Sequence, residues 1–151
     1  MFYGEFEHNI DDKGRLTIPA KYRPYLADGL VLTKGLDAKY LLLYPKVAWD
    51  TIIKQLSHQS VTRANVRELR RFLLAAASDD VPDRQGRINI PDKLLTYANL
   101  DRQAIVIGQF DYCEIWNPAD WEEHRALVDS DPEARAAMFE SLDLSRDPDT
   151  A

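Results

Sequence analysis

Two arginines, Arg15 and Arg87, each follow a glycine at the end of a turn-forming run, and the whole run occurs twice in this 151-residue chain. Residues 11–19 read DDKGRLTIP and residues 83–91 read DRQGRINIP, with Asp, Gly, Arg, Ile and Pro at five matching positions offset by 72. An arginine at a turn exit on a projecting β-ribbon can hold phosphates, or fork onto O6 and N7 of guanine in a major groove. A structural reading is also open: Asp caps the turn, Gly takes a φ closed to other residues, and Arg pairs with a nearby carboxylate. It explains Asp and Gly well and Arg less well, because Lys or Thr would serve an exposed strand position equally. Both readings stand on residues alone.

Nothing else in the chain assembles into a reactive set. His8, His58 and His124 lack the i, i+4 or Cys-partnered spacing of a metal site. Cys113 is the single cysteine, which excludes an internal disulfide and a Cys-rich zinc site; its alternating surroundings suit a small buried hydrophobe. Asp79-Asp80 and Glu122-Glu123 read as solvated faces. No Ser, Thr or Cys sits in a nucleophile elbow, and Gly14 and Gly86 are single glycines rather than a phosphate-cradling loop. The expectation is a protein with no catalytic residues, no metal, no cofactor and no small-molecule substrate.

The elements that must position the two motifs follow from patterning. Residues 5–10 alternate, with Phe6, His8 and Ile10 inward, as a half-buried strand. Asp11 to Gly14 have turn chemistry, and Leu16 and Ile18 resume the inward face while Arg15 and Thr17 point outward. Pro19 suits the first position of a short helix, which Pro24 should end. Apolar runs at 30–33 and 40–45, separated by a loop with Gly35, recur as 104–107 and 112–118 around Gly108. Each copy thus reads strand, turn, strand, short helix, strand, loop, strand. About forty residues repeat, which implies two copies of one supersecondary unit in a single chain.

Residues 46–57 and 61–78 show helical spacing without Gly or Pro, so the copies are joined by an ordered helical connector. Pro118 should open an acidic helix through Val128, and Asp131 another to about Leu142, before a disordered end at 145–151. The domain expectation is 5–48 and 77–121 for the two copies, 49–76 for the connector and 122–151 for an acidic extension.

No apolar stretch is long enough to span a bilayer and no basic-then-apolar segment opens the chain, so a cytoplasmic location without membrane contact is expected. The net charge of −6 is unevenly placed. Residues 1–77 hold 12 Lys/Arg against 8 Asp/Glu, and residues 78–151 hold 7 against 17. Either an acidic tail is appended to a neutral domain, or a basic half faces a polyanion while the acidic half stays away.

The opening MFYGEFEHNIDDKGRLTIPAKYR, then LLLYP, DRQGRINIP and GQFDYCEIWNPADW together resemble the MraZ family, over about residues 1–128. The resemblance implies an α+β fold in which two SpoVT-AbrB swapped-hairpin units form one interlocked core, with a helical connector and C-terminal helices. It also implies a nucleoid-associated transcriptional regulator that binds double-stranded DNA. Its expected targets are short G-rich direct repeats upstream of the division and cell-wall gene cluster, its own promoter included, and its expected assembly is a ring-forming homo-oligomer. By position, the DNA-binding expectation falls on Lys13, Gly14, Arg15 and Arg23, and on Arg84 and Arg87 of the second copy. That copy carries Gln85 and Leu95 where the first has Lys13 and Arg23, which points to Arg15 as the base reader. A competing reading is an oligomeric interaction protein whose repeats serve assembly only. A third is an antitoxin-like AbrB relative, against which the long second copy argues.

Overall fold

The computed structural model describes residues 1–142 together with Leu144 and Asp149. Met1–Pro118 make one compact unit and the chain from Ala119 makes a second. The expected disordered end at 145–151 lies outside the described residues apart from Asp149.

In the first unit, β1 (Glu5–Asn9) alternates exposed and half-buried positions as its sequence requires, and Ile10 beyond it is buried. A turn over Asp11–Gly14 leads to β2 (Arg15–Thr17). Pro19 then sits just ahead of a 3-10 turn, Ala20–Tyr22, rather than inside it. Pro24 does not end the helical stretch. It occupies the first turn of α1 (Arg23–Leu26), where a missing N–H costs nothing, and Gly29 (φ 121°) follows. β3 (Leu30–Lys34) and β4 (Leu41–Pro45) complete the first copy, and α2 (Lys46–Ser57) spans the residues its spacing predicts.

The second connector helix, α3, covers Ala64–Ala75 rather than 61–78. Its end is set by tertiary demand: Thr33 Oγ1 donates to the Leu73 carbonyl at 2.6 Å, and residues 78–80 are drawn off as an edge strand, β5 (Ser78–Asp80). The second copy continues with β6 (Arg87–Asn89), α4 (Asp92–Tyr97), β7 (Gln103–Gly108) and β8 (Cys113–Trp116).

The two copies exchange strands. The main sheet runs β1-β7-β8-β4-β3-β5 with antiparallel neighbours throughout. First-copy β1 therefore lies on second-copy β7, and second-copy β5 lies on first-copy β3. A second, two-stranded sheet pairs β2 with β6 in the register Arg15↔Asn89, Leu16↔Ile88 and Thr17↔Arg87. One continuous apolar cluster draws on both copies, including Leu16, Tyr22 and Leu43 with Ile88, Val106 and Ile115. This is the expected α+β architecture of two swapped units around one interlocked core.

The second unit consists of α5, which runs Pro118–Asp129 from the boundary, and α6 (Pro132–Phe139). Asp131 caps α6, its Oδ1 accepting the Ala134 amide at 3.0 Å. No described helix is long and apolar enough to cross a membrane.

Candidate nucleic-acid interface

The β2–β6 ribbon is two strands thick in one direction and one residue deep in the other. Leu16 and Ile88 point into the core and are 0% and 1% exposed. Their neighbours must then face the opposite way, which places Arg15, Thr17, Arg87 and Asn89 together on the outer face. On such a face, diagonal neighbours stand about 7–8 Å apart. Two motifs 72 residues apart in sequence thus become one surface.

Both turns are built alike. Asp11 accepts the Gly14 amide through its carbonyl at 3.0 Å, and its Oδ1 accepts the Lys13 and Arg15 amides at 3.0 and 2.9 Å. Asp83 repeats this with Gly86, Gln85 and Arg87, each at 2.9 Å. The glycines have φ of 74° and 73°, a conformation that side chains disfavour. Each glycine carbonyl is also claimed by the other copy: the Ile90 amide donates to Gly14 at 2.9 Å and the Ile18 amide to Gly86 at 2.8 Å. The amide donors, chiefly those of Arg15 and Arg87, hold the Asp11 and Asp83 carboxyls below the usual carboxylate range.

The remaining carboxylate oxygen aims the arginine. Arg15 Nε donates to Asp11 Oδ2 at 2.7 Å, and Arg87 Nε donates to Asp83 Oδ2 at 2.8 Å. Arg87 Nη1 also comes within 3.9 Å of Asp11 Oδ2, joining the two motifs. The carboxylate pairing expected on structural grounds is therefore present, and it leaves the base-reading alternative open. Nε is the hydrogen-bonded atom in both; the Nη1/Nη2 end of Arg15 remains to form a planar two-donor fork, while that of Arg87 shares Nη1 with Asp11. The side chains are 30% and 27% exposed, held rather than free-swinging.

Lys13 and Arg84 are exposed on the two turns. Arg23 has crossed to the second copy. Its Nε donates to the Ile18 carbonyl at 3.0 Å, and a Cβ added to Gly86 would lie 2.2 Å from that same Nε. At Gly14 the matching neighbour is Leu95, whose Cδ1 would be 3.2 Å away. Leu95 and Arg23 occupy corresponding places in the repeat, so the exchange that deprives the second copy of its own arginine supplies the first copy's instead.

Alternation alone turns Thr17 outward, but it does not bring Asn89 beside it. Thr17 and Asn89 join the ribbon face through register. Strand exchange also brings the Arg102 backbone alongside the end of β1, where its carbonyl accepts the Ile10 amide at 2.8 Å. Asp80 is more than a solvated carboxylate: its two oxygens accept the Val81 amide at 2.8 Å and the Asn89 amide at 2.7 Å, steadying β6.

Cys113 is buried, and burial pushes its thiol up to about 12. Among the described residues no three His, Cys, Asp or Glu side chains converge as a metal site.

Comparison with known proteins matches this architecture. The family model for MraZ protein fits residues 1–72 and again residues 73–140. The chain is 44% identical over 142 residues to a transcriptional regulator MraZ of Herpetosiphon aurantiacus, covering 94% of this chain and 96% of that one. It is 42% identical over 142 residues to the transcriptional regulator MraZ of Limosilactobacillus fermentum, covering 94% and 99%. A third, from a Roseiflexus species, is 43% identical over 139 residues, covering 92% and 94%. With both halves matched by one family model and such relatives aligned along nearly their whole length, the chain belongs to the MraZ family.

Proposed function

We propose that this protein is a DNA-binding transcriptional regulator that lays the β2–β6 ribbon into a major groove. The observation that carries this reading is the pairing of two Gly-Arg turns on one outward ribbon face, each guanidinium aimed by its own aspartate. A major groove about 12 Å wide admits a two-stranded ribbon, and a two-donor guanidinium edge matches O6 and N7 of guanine. Arg15 and Arg87 read bases. Lys13, Arg23 and Arg84 hold phosphates, with Gly14 and Gly86 giving the turns their shape. Its relatives' names, transcriptional regulator MraZ, support the same reading.

The target is a set of short G-rich direct repeats upstream of the division and cell-wall gene cluster, including the protein's own promoter, and the working form is a ring-forming homo-oligomer on the nucleoid. Repeated subunits on repeated sites multiply weak single contacts through effective concentration. The test is a titration of the chain against DNA from its own upstream region at several salt concentrations. Guanine-dependent binding that weakens steeply with salt supports the reading. Absence of binding at low salt leaves an assembly protein instead.

A further inference from the structure

The offset of 72 that relates the two motifs carries Arg15 onto Arg87 and Thr17 onto Asn89. On the outer face of the ribbon these four side chains form a two-by-two block, with Arg15 directly opposite Asn89 and Thr17 directly opposite Arg87. The arginines are equivalent in the two copies. The other two positions are not, and there the block departs from two-fold symmetry.

The fold gives no reason for the asparagine. Asparagine is depleted in strands, whereas a β-branched residue such as threonine suits them. Asn89 is exposed, and no described residue hydrogen-bonds its side-chain amide. Its backbone is nonetheless fixed, because its amide donates to Asp80 Oδ2 at 2.7 Å. A residue that breaks local preference without a structural return belongs at a functional position.

A carboxamide offers a donor and an acceptor side by side, the complement of N7 and N6–H₂ on the major-groove edge of adenine. Threonine, with one hydroxyl and one methyl, does not single out that base. Side chains directly opposed across a ribbon stand about 4.5–5.5 Å apart at Cβ. Successive base pairs follow at about 3.4 Å. The Arg15 fork and the Asn89 carboxamide therefore reach neighbouring base pairs.

We propose that Asn89 reads an adenine beside the guanine taken by Arg15, and that the guanine taken by Arg87, opposite Thr17, needs no such neighbour. The two ends of the ribbon then read unequal sequence. Its site on DNA has a direction, and the chain lies on it one way round. This rests on the guanine-reading role of the ribbon and adds to it a specificity-determining residue and a polarity.

The test is selection of bound duplexes by the full chain, from its own upstream region with the base pairs flanking each guanine randomised. Wild type should enrich adenine beside one guanine of each site, by about 5- to 150-fold over other bases. Asn89→Thr should keep the guanines and lose the adenine; the backbone bond to Asp80 survives this change. Thr17→Asn combined with Asn89→Thr should carry the adenine to the other guanine and reverse the direction of the site, a gain that misfolding cannot imitate. Replacing the selected adenine by 7-deazaadenine, which lacks N7, should weaken wild type and leave Asn89→Thr unaffected. An Asn89→Thr chain that still selects the adenine overturns the inference. So does one that weakens equally on every sequence, which would put Asn89 on a phosphate. Wild type that selects guanine with no adenine beside it overturns this inference alone, whereas wild type that selects no guanine overturns the reading role of the ribbon as well.

Discussion

The aspartates at the head of each motif do two jobs with two oxygens: one closes the turn and the other aims an arginine. If the guanidinium forks read guanine, Arg15→Ala and Arg87→Ala should each lose about 1–3 kcal/mol per engaged site and flatten the preference at one guanine. Lys13→Ala should instead weaken all sequences alike and lower the salt slope by about one unit. Binding isotherms on operator and scrambled DNA distinguish these outcomes; equal losses on both DNAs would move the arginines to phosphates. Gly86→Ala should destabilise by more than the roughly 1–2 kcal/mol cost of a left-handed φ, because the new Cβ would lie 2.2 Å from Arg23 Nε. Thermal melts should show part of that loss relieved when Arg23 is also shortened to Ala. For pH, Asp11 and Asp83 are depressed, so the stability they add is complete at neutral pH and is lost only as the pH falls through their lowered values. His8 is lowered too, first by burial and then by Arg23. The fold therefore favours its uncharged form, and its contribution is full above histidine's ordinary value of about 6.5 and declines as the pH falls below it. Melting temperatures of His8→Gln against wild type should converge or cross on acidification from pH 7 to 5; a constant gap would contradict the assignment.

At the scale of elements, what could be read from the chain was whatever carried its own pattern. β1 and β2 announce themselves by alternation, α2 by spacing, and the turns by Asp and Gly. β5 has no such pattern: Ser78-Asp79-Asp80 is a strand only because β3 offers it an edge and Asp80 anchors the Asn89 and Val81 amides. For the same reason α3 stops short of its sequence pattern. The site was half legible. Repetition exposed Arg15 and Arg87, but their shared face, and the transfer of Arg23 to Gly86, come from strand exchange, which local spacing does not encode. The exchange also makes a prediction. Residues 1–48 and 77–121 expressed apart should each be unfolded or self-associated, since β1 loses β7 and β5 loses β3. Circular dichroism and sedimentation check this, and a stable folded monomer of either half would refute it.

For the whole molecule, the uneven charge turns out to be local. Residues 1–118 hold 16 Lys/Arg against 15 Asp/Glu, while residues 119–151 hold 3 against 10. The acidic surplus is therefore an appended extension, as one of the two composition readings has it. At the ribbon there is no basic half, because its two strands come one from each copy and first-copy Arg23 lies across the second turn. What a polyanion would meet is one ribbon rather than one half. The central claim is that this ribbon reads guanine in DNA, and a competition assay tests it most directly. The wild-type chain and the Arg15→Ala, Arg87→Ala double variant would each be titrated on the protein's own upstream repeats and on the same DNA with its guanines replaced. Wild type should prefer the guanine-bearing repeats strongly, and the folded double variant should bind both DNAs equally and weakly. A double variant that keeps both wild-type folding and wild-type guanine preference would contradict it.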